Sequence, residues 1–168
     1  TDTVTLRVGP AGSRQLPDEP LRAEASFSTQ QAWEGQVVLY TAQLAARVPV
    51  AGVGWSLPPF DGLARPPNGD AAQSEHELGD PKGPVRIYEA TLPFVATGTG
   101  DRSQPPAVAR VDVLTDEATL FGRRRRQHHV AAEQRAALQV RPLPPAPPEF
   151  SGLVGEFDLG HHEAGVDA

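Results

Sequence analysis

Leu21-Arg22-Ala23-Glu24-Ala25-Ser26-Phe27-Ser28 alternates without a break. Leu21, Ala23, Ala25 and Phe27 fall on one side and Arg22, Glu24, Ser26 and Ser28 on the other, which is the period-two signature of a strand with one face buried and one face wet. Working outward, a turn at Glu34-Gly35-Gln36 leads into residues 37–46. There Val37, Val38, Leu39 and Tyr40 are apolar on both faces before alternation resumes with Gln43 and Leu44, as in a central sandwich strand covered at one end. Val53, Trp55 and Leu57 alternate next, and Pro58-Pro59 stops them. Trp55 is expected to plug the core, because large aromatics dominate small β cores.

Residues 64–83 are polar, with turn residues at Pro66-Pro67-Asn68-Gly69-Asp70 and Asp80-Pro81-Lys82-Gly83, and predict a surface loop. Residues 84–96 predict a strand with Tyr88, Ala90, Leu92 and Phe94 on one face, and Pro93 implies an edge or bulge there. In residues 107–114, Val111 and Val113 stand opposite Arg110 and Asp112. Residues 136–141 supply Leu138 and Val140 to a last strand. Upstream, residues 3–8 set Val4, Leu6 and Val8 against Thr3, Thr5 and Arg7, before a spacer rich in proline and glycine. The count is about seven strands separated by turn signals, which predicts an all-β chain folded as an immunoglobulin-like antiparallel β-sandwich. The predicted core joins Phe27, Leu39, Tyr40, Trp55, Leu92 and Val140. Residues 130–138 hold strong helix formers and compete as one or two helical turns.

Five prolines between Pro142 and Pro148 fix φ and remove backbone donors, so this segment predicts a stiff, extended strap. Phe150 to Phe157 then interleaves aromatic and branched residues with two glycines, like the opening strand of another unit. The predicted organisation is a leading strand and flexible spacer over 1–20, the sandwich over 21–141, a proline-rich linker over 142–149, and the start of a following domain or tail over 150–168. Such an ending suggests that the chain is a piece of a longer protein.

With 168 residues the chain can bury a core without staples, and its 16 glycines and 18 prolines, about a fifth of the chain, are too few for low-complexity disorder. No cysteine is present, which excludes disulfides and zinc–thiolate sites. A net charge of −6 argues against nucleic acid or an anionic membrane as partner of the chain as a whole. No apolar run reaches the roughly 18–20 residues of a membrane span, and Thr1-Asp2-Thr3 does not open a signal peptide.

Arg123, Arg124, Arg125 and Arg126 form the sharpest charge feature. Preceded by the turn signal at Gly122, they predict a hairpin-tip loop, and guanidinium groups there can pair bidentately with carboxylates or a lipid headgroup. This is the candidate partner-binding loop. His128-His129 and His161-His162 predict no metal site, since neighbours on a strand point to opposite faces and offer one ligand per pair. Asp61, Asp70, Glu75, Glu77 and Asp80 lack the spacing of a calcium loop and read as solvated. No nucleophile elbow, cysteine nucleophile or phosphate-cradling loop is present, so no catalytic residue and no cofactor is expected.

In order along the chain, Glu34-Gly35-Gln36, Pro59-Phe60-Asp61-Gly62, Leu92-Pro93 and, most specifically, Pro142-Leu143-Pro144 with Phe150-Ser151-Gly152, Val154-Gly155 and Phe157 carry a family resemblance. Over roughly residues 21–157 the chain resembles the BatD-type bacterial oxygen-tolerance (aerotolerance) proteins. Gln36, the four arginines and His161-His162-Glu163 depart from that pattern and mark a divergent branch. The resemblance implies an envelope protein with tandem immunoglobulin-like domains on the periplasmic side, anchored by a membrane helix outside this fragment. It implies work beside von Willebrand factor A-type and tetratricopeptide-repeat membrane proteins, with no catalytic residues. The expected function is a non-catalytic protein-interaction domain. The alternative is a carbohydrate-binding or accessory module of an exported hydrolase, using Trp33 or Trp55.

Overall fold

The computed structural model describes residues 19–119 and 122–145. The strand expected over 3–8, the segment from 150 onward with its His161-His162 pair, and the linker past residue 145 lie outside the described residues. Eleven strands and no helix are found among those described: β1 Leu21–Phe27, β2 Gln31–Trp33, β3 Val37–Ala46, β4 Val50–Ser56, β5 Leu63–Ala64, β6 Ala72–Leu78, β7 Val85–Ala96, β8 Gly100–Asp101, β9 Val108–Thr119, β10 Gly122–Ala131 and β11 Gln139–Arg141. One sheet runs β1-β3-β7, with β5 and β6 both on the far side of β7. A second runs β10-β9-β4, and a small third runs β2-β11-β8. Seven of the strands have seven residues or more. Their order, β1-β3-β7-β6 against β10-β9-β4, is the four-plus-three arrangement of an immunoglobulin-type sandwich.

Alternation drives the packing. Val38, Tyr40, Ala42 and Leu44 of β3 pair with Phe94, Leu92, Ala90 and Tyr88 of β7, so one face of the sheet is apolar along its length. Phe27, Tyr40, Leu92, Phe94, Leu138 and Val140 join the main cluster, with Trp55 and Phe60 packed against it. A second cluster joins the two large sheets through Ala23, Leu44, Ala109 and Val111. Phe60 holds φ at 60°, the only positive value at a non-glycine residue among those described. Its ring sits 4.8 Å from Tyr40 and 4.2 Å from Phe94, so the aromatic stack holds the strained backbone in place. Tyr40 is fully buried, its hydroxyl has no hydrogen-bond partner, and desolvation by that burial pushes its pKa up to about 12.

Several expectations need correction. Residues 64–83 are not all loop, because Ala72–Leu78 pairs along β7 from Thr91 back to Val85. Every residue of β6 is exposed, so no apolar face marked it in the sequence. The helix formers of 130–138 make no helix: β10 ends at Ala131, and Ala132, Ala136 and Leu138 then plug the core from an irregular segment. That segment is pinned by Ala132 N–H donating to Ala107 O at 2.8 Å and by Gln104 N–H donating to Ala136 O at 2.8 Å. The last strand accordingly begins at Gln139, not at 136. Leu39 is only half-buried and outside the main cluster, because it sits on the other face of β3, opposite Pro93. Pro93 itself lies where β6 has ended and β5 has not begun, a local edge inside a central strand. Residues 142–145 are exposed and carry no strand.

Candidate functional site

The four arginines form a strand and not a loop. Arg125 pairs with Leu114 and Arg126 with Val113, after a register shift between Arg123 and Arg125. The Arg123 side chain lies outside the described residues. Arg124 donates to Glu117 Oε2 at 3.0 Å, an ion pair exposed on both sides. Arg125 and Arg126 are exposed, and no acidic partner for either occurs among the described residues. Alternation places Arg125, Gln127 and His129 on one face beside Arg110 and Asp112, and Gln127 Nε2 donates to Asp112 Oδ1 at 3.4 Å. The Arg110 guanidinium lies over Gly54 of β4, where a Cβ would meet it at 3.5 Å. This face is therefore cationic although the whole chain is acidic.

His128 and His129 point to opposite faces of β10, His128 half-buried and His129 exposed. Of the acidic residues read as one loop, Glu75 and Glu77 stand on β6 while Asp61, Asp70 and Asp80 belong to separate turns. Asp80 pairs with Arg47 at 3.2 Å. No group of three His, Asp or Glu residues that could hold a metal ion occurs among the described residues.

A second surface was missed by sequence reasoning. On the side of the sandwich away from β10, a cleft of about 420 Å³ opens between β4 and β6, floored by β7. Val50, Val53, Trp55 and Tyr88 give it an apolar wall, and Glu75 and Arg86 give it a charged one. Arg86 lies 3.7 Å from Glu75 and 3.5 Å from Glu77. Hydrogen bonds to Tyr88 and then Glu77 hold its guanidinium even more firmly protonated than usual. Glu89 borders the cleft by position only: its carboxylate lies on the outer face of the sheet, where it accepts hydrogen bonds from Gln43 Nε2 at 3.2 Å and Thr91 Oγ1 at 3.4 Å. Trp55 packs against both core clusters and so fills the expected core role while its half-buried side chain also lines the cleft. The signal that could have found this cleft is the absence of charge in β4, an edge strand that a soluble fold ordinarily guards.

Compared with known proteins, the chain matches no family model, and no curated protein matches it.

Proposed function

We propose that this chain is a non-catalytic protein-interaction domain of a BatD-type oxygen-tolerance protein. In that reading it stands on the periplasmic side of the bacterial envelope and is anchored through a membrane segment outside this fragment. The ordered motifs from Glu34-Gly35-Gln36 to Pro142-Leu143-Pro144 support the family, and the all-β sandwich agrees with the domain type it implies. The observation that carries the interaction reading is the exposure of Arg125 and Arg126 on opposite faces of edge strand β10, each without an acidic partner among the described residues. Guanidinium groups left so are suited to a partner's carboxylates, which they can grip bidentately.

Immobilised domain incubated with solubilised bacterial membranes should retain von Willebrand factor A-type or tetratricopeptide-repeat membrane proteins. The Arg125→Glu, Arg126→Glu double variant should release them while its circular dichroism stays unchanged. Undiminished retention by that variant would remove the ground for this reading. The carbohydrate-module alternative draws on Trp33, which is 40 % exposed, and on Trp55 with Tyr88 in the cleft. Glycan-array binding that disappears in Trp33→Ala or Trp55→Ala would favour it instead.

A further inference from the structure

Two sheet edges border the cleft, and they differ in kind. β6, Ala-Gln-Ser-Glu-His-Glu-Leu, is exposed along its whole length and carries Glu75, His76 and Glu77. Charge of this sort on an edge discourages another strand from adding to it. β4, Val-Ala-Gly-Val-Gly-Trp-Ser, has no charge and no proline, and pairs only with β9. Its other side is a row of backbone donors and acceptors roughly 23 Å long. Gly52 leaves open space where a side chain would stand, with nothing within 4 Å of an added Cβ, so an approaching backbone meets no obstacle there.

The wall opposite is acidic. Glu75 and Glu77 both face a single guanidinium, that of Arg86, which leaves one carboxylate in surplus. A free strand edge, an apolar wall and surplus carboxylate define one kind of occupant, an extended cationic peptide. A sugar is less well served, because Trp55 packs into both core clusters instead of presenting a free ring face.

We propose that β4 accepts an extended segment of a partner protein as an added strand. Its inward side chains are apolar beside Val53 and Trp55, and lysine or arginine where they reach Glu75. This rests on the reading of the chain as an interaction domain but not on the arginines of β10, which lie on the opposite edge of the same sheet.

The probe is a phage-displayed library of random peptides panned on the intact chain, with the selected peptides then titrated as free synthetic peptides. Selected sequences should alternate apolar and basic residues. Two variants test the site without touching the core. Ala51 is exposed and has no register partner on β9, so Ala51→Pro alters the free edge and leaves the ladder intact. Glu75→Lys reverses one exposed wall charge. Each should weaken peptide binding by about tenfold or more, and added salt should erase most of the difference made by Glu75→Lys.

The proposal is overturned if no peptide is selected, or if selected peptides bind both variants as well as the parent. It is also overturned if the cleft is instead filled by a glycan that blocks peptides, or by β10 of a second copy, seen as self-association that Arg125→Glu, Arg126→Glu abolishes. Failure here with intact retention of membrane proteins through β10 sinks the cleft alone. Peptide binding with no such retention sinks the β10 docking reading alone.

Discussion

The two sides of the sandwich solve the same problem in opposite ways. Where β1 approaches the end of β10, the sheets are sutured: Ala23 bridges Ala132, Glu133 N–H donates to Ala23 O at 3.3 Å, and Arg22 Nη2 donates to Glu133 Oε2 at 2.9 Å. Where β4 approaches β6, no strand pairing crosses, and a cleft remains. The suture depends on small side chains, since only alanines at 23 and 132 let the two backbones meet. Across the gap, the large side chains of Trp55 and Tyr88 line the cleft instead. Closure of a sandwich is thus a local choice of side-chain volume, and an edge left open is available for other use.

Proline placed on each side should expose that contrast most strongly. Ala132→Pro removes the donor that reaches Ala107 O inside the core, and unfolding in urea should show a loss of about 3 kcal/mol. Ala51→Pro, on the open side, should cost less than about 1 kcal/mol, and similar losses for the two would mean that β4 is not a free edge.

Next in size is an alkaline effect in the main core, at Tyr40 of β3. Tyr40 rises from its ordinary 10.0 to about 12 because burial disfavours the phenolate. The neutral form is thereby favoured in the fold, so this contribution is complete below pH 10 and is lost as pH climbs through about 12. Its full size is roughly 3 kcal/mol. Tyr40→Phe should flatten unfolding free energy between those values. At neutral pH it should leave stability equal or slightly higher, since the hydroxyl has no partner to lose. A Tyr40→Phe protein that still weakened across the same window would place the titrating group elsewhere.

The smallest effect belongs to the charged stitch over the suture. Arg22 and Glu133 are about a third and half exposed, and Glu133→Gln should cost only about 0.5 kcal/mol, shrinking further in high salt. A loss several times larger would mean that the ion pair, and not the alanine contact, closes this side.

Much of this frame was legible in residues that touch one core. Residues 21–28, 37–46 and 84–96 announced themselves because each buries one face, and alternation records burial. β6 went unread because both its faces are wet, so nothing periodic is written into Ala72–Leu78. Residues 130–138 raised a competing helical reading for the converse reason: alanines that fit a crowded suture are also the strongest helix formers. The arginines were placed in the right hairpin, but a turn signal at Gly122 does not say how far the strand continues behind it. Beyond the missing charge of β4, nothing in the sequence marked the cleft, because it is made by residues of three strands, β4, β6 and β7, that meet only after folding.

The parallel pairing of β2 with β11 gives the domain a direction. Leu21 enters beside Ala46, whereas Arg141 leaves beside Trp33, so entry and exit lie at opposite poles, separated by most of β3, roughly 30 Å. In a domain threaded in this way, tension along the polypeptide pulls Gln31–Trp33 and Gln139–Arg141 past one another in shear. Their backbone bonds must yield together instead of unzipping singly. In single-molecule stretching, proline at Ala32 or Val140 should lower the rupture force far more than the same change at Ala51.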